Sequence, residues 1–248
     1  MIAVRTADEL KRLRKAGAVV AKTLAMLKKK VRPGITTGEL DAAAEQFIRK
    51  SGARPAFLGY RGYPATICAS INEEVVHGIP SGRIVRDGDI LSIDVGVELN
   101  GYFSDAAITV PVRTVAAEAA RLIAVTREAL AQGIAQARAG GQVGDISAAV
   151  QACVEAAGFS VVREFVGHGI GAQLHEEPQI PNFGVPGQGA VLQPGMVLAI
   201  EPMVNAGVWR VEILADGWTA VTKDRALSAH FEHTVAVTDS DPEILTRE

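Results

Sequence analysis

The 248-residue chain is 48% hydrophobic and 21% charged, with 25 glycines and 11 prolines. This composition supplies enough apolar side chains for a sizeable core and differs from that of disordered or collagen-like chains. The 25 basic and 28 acidic residues give a formal charge of −3, which argues against a protein that tracks nucleic-acid phosphates.

The expected compartment is a reducing cytoplasm. Cys68 and Cys153 are too few for a disulfide framework in a chain of this length, and the first residues contain no apolar signal core. No run of about 18 apolar residues predicts a membrane-spanning helix.

The first 52 residues predict two helices. Apolar residues recur every three or four positions over residues 6–30, and Thr6 with Glu9 has the spacing of a capping box. A second helix is predicted over residues 37–50, where Ser51-Gly52 ends it.

The same order of elements then occurs again. Residues 55–112 are rich in glycine, proline and β-branched side chains, which predicts short strands, and helical patterns return at 118–136 and 144–157. A shift of 106 residues aligns residues 32–52 with 138–158 at six identical positions. A shift of 107 aligns GDILSID (88–94) with GMVLAIE (195–201).

Chance similarity between alanine-rich helices and between hydrophobic strands is the alternative, but two blocks at nearly one offset favour an internal repeat. We therefore predict an α+β protein in which residues 1–248 form a single domain. Its two related halves would be residues 1–113 and 114–248, with a site between them.

Two aspartates lie in a predicted hairpin. Asp94 interrupts an apolar run, where a lone carboxylate would be costly to bury. Asn100-Gly101 predicts a two-residue turn, which would place Asp105 opposite Gly96 and on the same sheet face as Asp94. Diagonal neighbours of this kind lie about 7–8 Å apart, so the two carboxylates would need a cation between them. A bulge, or a solvent-facing hairpin with ordinary surface acids, would remove this requirement.

The second half contributes two more acids in apolar, strand-like sequence. Glu201 is the repeat equivalent of Asp94, and Glu232 precedes a Thr-Val-Ala-Val run much as Asp105 precedes Ala-Ala-Ile-Thr-Val. Each half would thus supply two carboxylates to one place, and four buried carboxylates require a metal.

Three histidines lie in loop-like sequence: His77, His168 in GHGIG, and His175 in LHEEP. Each one alone could be a structural histidine, but together with four buried acids they indicate a metal site. One imidazole and four carboxylates suit two divalent transition metals that share bridging oxygens, and they do not suit a tetrahedral structural zinc. Such a pair holds a hydroxide at neutral pH and polarises a carbonyl. The HExxH, Gly-x-Ser-x-Gly and Walker motifs are absent.

The motifs NEEVVHGIP, DGDILSIDVG, GYFSD, GHGIG, LHEEP, LAIEPM and DGWTAVTKDRALSAHFEHT occur in this order and resemble those of bacterial type I methionine aminopeptidases. The resemblance covers essentially the whole chain. It implies the pita-bread fold, in which two pseudo-symmetric helix-helix-strand halves share a central antiparallel sheet. The implied activity is co-translational removal of methionine from nascent proteins and peptides that have a small, uncharged second residue. The implied chemistry is attack of a hydroxide, held by two metals, on the first peptide bond.

The same resemblance implies residue roles. The implied metal ligands are Asp94, Asp105, His168, Glu201 and Glu232, with Asp105 and Glu232 bridging two divalent ions (cobalt, manganese, iron or zinc). Glu201 would move a proton, His175 would stabilise the oxyanion, and His77 would contact the substrate amide. The implied methionine pocket consists of Tyr60, Tyr63, Cys68 and Trp218, and a monovalent cation would lie near Asn72, Glu74 and Ser228. Phe57 and Leu174 depart from the family's pattern, which puts the shape of the pocket in question.

Other readings stay open at this point. Proline-specific peptidases share the fold, but they resemble the chain only after a large N-terminal domain. Type II methionine aminopeptidases carry a long insertion between the last two ligating glutamates, whereas Glu201 and Glu232 are only 31 positions apart here, which favours type I. Binding proteins of this fold have lost the metal ligands, whereas all five residues are present here. We expect a monomer that acts near the ribosome without direct nucleic-acid or membrane binding.

Overall fold

The computed structural model describes residues 2–247. The helices are α1 (Ala7–Lys30), α2 (Thr37–Lys50), α3 (Ala117–Gln136) and α4 (Val143–Ala156), with a short 3₁₀ turn at Tyr60–Gly62. The strands of the first half are β1 (Arg54–Pro55), β2 (Ile67–Ile71), β3 (Glu74–Val76), β4 (Ile90–Leu99) and β5 (Tyr102–Pro111). Those of the second half are β6 (Ser160–Val161), β7 (Val166–Gly169), β8 (Glu176–Pro181), β9 (Val197–Ile200), β10 (Met203–Asn205), β11 (Val211–Ile213), β12 (Ala220–Thr222), β13 (Ser228–His230), β14 (His233–Ala236) and β15 (Glu243–Ile244).

Helix α1 begins where the capping box predicts. The Thr6 side chain accepts a hydrogen bond from the Glu9 amide at 3.3 Å, and the Glu9 carboxylate accepts one from the Thr6 amide at 2.8 Å. Acidic residues lie in its first turn and lysines in its last turn, which stabilises the helix dipole. The buried face of α1 packs against β4 and β5. All four predicted helices are confirmed to within one residue at each end.

Strands β4 and β5 form the predicted hairpin. Asn100 (φ 53°) and Gly101 (φ 80°) both have positive φ, as a two-residue type I′ turn requires. Leu99 pairs with Tyr102 and Gly96 with Asp105, without a register shift along the hairpin. The prediction that Asp94 and Asp105 share a sheet face is therefore confirmed.

Every strand pairing among residues 2–247 is antiparallel, but the central sheet is divided into segments. One segment has the order β1-β4-β2 with β5 on β4, and another has the order β15-β14-β9-β7-β8. Two reciprocal backbone hydrogen bonds join these segments, from the Glu232 amide to the Ala107 carbonyl (2.9 Å) and from the Ala107 amide to the Glu232 carbonyl (3.4 Å). Glu232 thus lies where the two halves meet.

The two halves repeat each other's backbone hydrogen bonds. Helices α2 and α4 each have 14 residues and lie 106 positions apart. The Gly34 amide donates to the Val85 carbonyl at 2.9 Å, and the Gly140 amide donates to the Leu192 carbonyl at the same distance. One hydrophobic core lies in the first half and a second belongs mainly to the second half. This arrangement confirms the predicted α+β, pita-bread fold with pseudo-symmetric halves. No helix among residues 2–247 is long and apolar enough to cross a membrane.

Candidate metal centre

Side chains from both halves converge between the two sheet segments. Asp105, His168 and Glu232 are buried, and one ligand atom from each lies within 4.8 Å of the others. The His168 Nε2 atom lies 3.6 Å from Asp105 Oδ2 and 3.6 Å from Glu201 Oε1. Asp94 completes the set from the neighbouring strand, so the five predicted metal ligands line one cavity of about 200 Å³.

The backbone around the cluster orients its side chains. Thr234 receives a hydrogen bond from the Asp105 amide (3.1 Å) and donates one to the Asp105 carbonyl (2.7 Å), which fixes β5 against β14. The His168 Nδ1 atom lies 2.9 Å from the Gly169 carbonyl. Since a carbonyl only accepts, Nδ1 carries the proton and Nε2 presents a lone pair to the carboxylates, as a metal ligand must.

The carboxylates are electrostatically uncompensated. Burial, followed by repulsion from Asp105, raises the pKa of Asp94 and of Glu232 well above the ordinary values. Burial also raises the pKa of Asp105 to about 6. Among residues 2–247 no Lys or Arg forms an ion pair with these acids, and Asp94 Oδ1 is buried without a hydrogen-bond partner. A divalent cation fits this donor set, because it would supply the missing positive charge.

His175 lies beside the cluster. Its ring is 4.3 Å from that of His168 (centroid to centroid), and its Nδ1 atom lies 2.8 Å from the Tyr60 hydroxyl. Desolvation, followed by the neighbouring His168, lowers the pKa of His175 and favours the neutral imidazole. If the Tyr60 hydroxyl donates to Nδ1, the remaining proton lies on Nε2, which can then donate to a substrate.

His77 lies on another wall of the cavity, in a left-handed backbone conformation (φ 60°). Its ring meets Phe165 edge-on at 5.4 Å and Trp218 at 6.3 Å. Burial is the main reason that its pKa is lowered. His77 is thus a neutral hydrogen-bonding group held between aromatic rings.

An apolar recess adjoins the cluster. Tyr63 packs edge-on against Trp218 with ring centroids 5.1 Å apart, and Cys68 is buried beside them. Burial raises the pKa of the Cys68 thiol, so the thiol stays neutral and apolar in character. Phe57 and Leu174, which depart from the family's pattern, also line the cavity. Together with Tyr60 they give the cavity aromatic and apolar walls.

The residues predicted to hold a monovalent cation lie close together, because the Ser228 amide donates to the Asn72 carbonyl at 2.8 Å. Their side chains already make protein contacts. The Asn72 amide group bonds to Asp89 and to the Ile90 amide, and Glu74 accepts from the Ile71 amide at 2.7 Å. The cation stays a prediction.

Sequence reasoning missed several residues of this cavity. Val76, Phe165, Met203 and His230 line it, and His230 lies with its Nε2 atom 3.5 Å from Glu201 Oε2. A signal was available, since in extended chain His230 and Glu232 project to the same side. Phe165 and Met203 carry no such signal, because any apolar residue of a strand can be an ordinary core residue.

The chain resembles known proteins along nearly its whole length. Residues 11–239 match metallopeptidase family M24. The methionine aminopeptidase of Clostridium perfringens is 55% identical over 246 residues, covering 99% of each chain, and methionine aminopeptidase 1 of Bacillus subtilis is 54% identical over 247 residues, covering 100% of each. The crystal structure of methionine aminopeptidase from Thermotoga maritima, 46% identical, superimposes with a TM-score of 0.99 over 100% of both chains.

Proposed function

Since the chain belongs to metallopeptidase family M24, and within it to the type I methionine aminopeptidases, we propose that the carboxylate and histidine cluster is its metal centre. The activity is metal-dependent hydrolysis that removes methionine from the N-terminus of peptides and proteins. Residues 1–248 would act as one catalytic domain, because the cluster takes ligands from both halves.

Two divalent ions would be held by Asp94, Asp105, His168, Glu201 and Glu232. The observation that carries this proposal is the buried, uncompensated charge of these carboxylates. The ions would supply Lewis acidity and would lower the pKa of a water, so that hydroxide is available at neutral pH to attack a carbonyl. Cobalt, manganese, iron and zinc all accept such ligands, so metal availability would select the ion.

The protein's own groups would handle the substrate and the proton. Glu201, which lines the cavity and is about one-seventh exposed (14%), would accept a proton at a carboxylate oxygen and deliver it to the leaving amine. His175, neutral and polarised through Tyr60, would donate from Nε2 to the oxygen on which charge develops. His77, which also lines the cavity, would hold the substrate amide.

The recess formed by Tyr60, Tyr63, Cys68 and Trp218 would bind the methionine side chain. Aromatic faces and a neutral thiol pack well against a thioether. Because the recess adjoins the cluster, little room remains for the second substrate residue, and a small, uncharged one is preferred. The substrates would be nascent chains in the cytoplasm, and the enzyme would act as a monomer near the ribosome.

A panel of peptides tests this function. Metal-loaded enzyme is expected to release methionine from Met-Ala-Ser much faster than from Met-Arg-Ser, and to leave Leu-Ala-Ser nearly intact. Asp105→Ala should abolish release, because it removes a buried carboxylate from the centre of the cluster, whereas the exposed Asp239→Ala should not. Equal turnover of Met-Ala-Ser and Met-Arg-Ser would refute the proposed selectivity, and an active Asp105→Ala enzyme would refute the metal centre.

A further inference from the structure

His230 is a buried polar side chain that the proposed chemistry leaves unused. It is 2% exposed, and its Nε2 atom has no hydrogen-bond partner among residues 2–247. An unsatisfied buried donor is costly, so such a group in a functional cavity calls for an explanation. Its nearest charged neighbour is Glu201, whose Oε2 atom lies 3.5 Å from Nε2.

Glu201 itself lies between two imidazoles. Its Oε1 atom is 3.6 Å from His168 Nε2, and its Oε2 atom faces His230. His168 cannot donate to it, because the proton of His168 is on Nδ1, which faces the Gly169 carbonyl. His230 is therefore the member of this pair that can hold the Glu201 carboxylate by a hydrogen bond.

The backbone of His230 is fixed on both sides. Its amide donates to the Thr109 hydroxyl at 2.9 Å, and that hydroxyl donates to the His230 carbonyl at 2.8 Å. On the other edge it pairs with Met203 in the β10–β13 ladder. A side chain anchored in this way has few alternative orientations, which suits a group that must hold another in place.

We propose that His230 is a positioning residue, which donates its Nε2 proton to Glu201 Oε2 and holds that carboxylate in the orientation needed for proton transfer. The 3.5 Å separation shortens to a hydrogen bond when the substrate is bound, as contacts in unliganded sites commonly do. This inference rests on the proposed role of Glu201, but its geometry can be tested without activity.

Three substitutions of His230 distinguish donation from packing. His230→Leu fills the space without a donor, His230→Gln carries an amide nitrogen about as far along the side chain as Nε2, and His230→Asn carries one at the place of Nδ1. We expect Leu and Asn to lower kcat about 10- to 100-fold, the usual effect of losing a group that orients a catalytic side chain. KM and the affinity for Mn²⁺, measured by calorimetry, should change less than about threefold, and Gln should restore most of kcat.

His233 is a matched control on the same stretch of chain. It lies outside the cluster's cavity, with Nδ1 2.8 Å from the Thr246 hydroxyl. His233→Gln should leave kcat and KM unchanged, which separates a specific effect from general disturbance of the strand.

A second arm measures the contact in metal-free protein. His230→Leu, Glu201→Gln and the double variant form a cycle in melting temperature, and contacting residues should give non-additive shifts. The inference would be overturned by an unchanged kcat in His230→Leu or by additive shifts in melting temperature. It would also be overturned if His230→Gln failed to restore kcat and bound Mn²⁺ about ten times more weakly. If the wild-type enzyme releases no methionine while the shifts are non-additive, the proposed function fails and the contact stands.

Discussion

Asp105→Asn should stabilise the metal-free protein at neutral pH. The folded protein raises the pKa of Asp105 from 3.8 to about 6, chiefly through burial. An acid whose pKa is raised by folding favours the folded state below its unfolded pKa, and this advantage is lost as the pH rises through the folded value. Ionised Asp105 is therefore a destabilising charge above pH 6.

The size of the effect follows from the shift. A difference of about two pKa units corresponds to about 3 kcal/mol. For a chain of this length that is a rise in melting temperature of about 6–12 °C. Asparagine keeps the oxygen that faces the Thr234 hydroxyl, so the substitution removes charge with little loss of packing.

The assay is thermal unfolding of chelated protein at several pH values, with the exposed Asp239→Asn as control. The gap between Asp105→Asn and wild type should be largest near pH 8 and should close as the pH falls from 6 to 4. In saturating Mn²⁺ the order should reverse, because binding to the folded state stabilises the wild type more. A metal-free Asp105→Asn protein no more stable than wild type at pH 8 would refute the electrostatic reasoning.

Two further predictions concern ion pairs of the N-terminal segment. Arg5 pairs with Glu176, the residue after His175, and both side chains are largely buried. Arg5→Met should lower kcat about tenfold by loosening the His175 loop, with Mn²⁺ affinity unchanged in calorimetry. Arg14 pairs with Glu243 at 2.6 Å far from the cavity and lowers its pKa. This stabilisation is present above the ordinary glutamate pKa and lost as the pH falls below it, so Arg14→Met should lower the melting temperature at pH 7 more than at pH 3.

Arg5→Met and Arg14→Met serve as controls for each other, because each removes one ion pair but only the Arg5 pair adjoins His175. Equal losses of kcat in Arg5→Met and Arg14→Met would mean that the Arg5 pair does no more than stabilise the fold. A melting-temperature difference for Arg14→Met that is the same at pH 3 and pH 7 would contradict the charge argument.

The sequence predicted those parts of the structure that local physical chemistry determines. The Thr6 and Glu9 capping box placed the start of α1, and Asn100-Gly101 fixed the hairpin register. That register placed Asp94 and Asp105 on one face, because side chains alternate along a strand. These features depend on neighbours within a few residues, so no tertiary information was needed.

Tertiary contacts determine the rest. The division of the central sheet into segments depends on pairings between distant strands, such as Glu232 with Ala107. The contact of His230 with Glu201 joins positions 29 residues apart, one on β13 and the other in the connection between β9 and β10. Roles for His77 and His175 came from the family resemblance, since no local pattern distinguishes them from structural histidines.

The most direct test of the account is a metal titration of chelated enzyme that follows ion content and methionine release together. Activity towards Met-Ala-Ser should be absent without metal and should return as divalent ions bind, with as many as two ions retained per chain. Asp94→Asn should retain fewer ions and lose most of the activity, since it replaces a proposed ligand with a neutral side chain of nearly the same shape. Full methionine release by protein that contains no divalent metal would contradict the account.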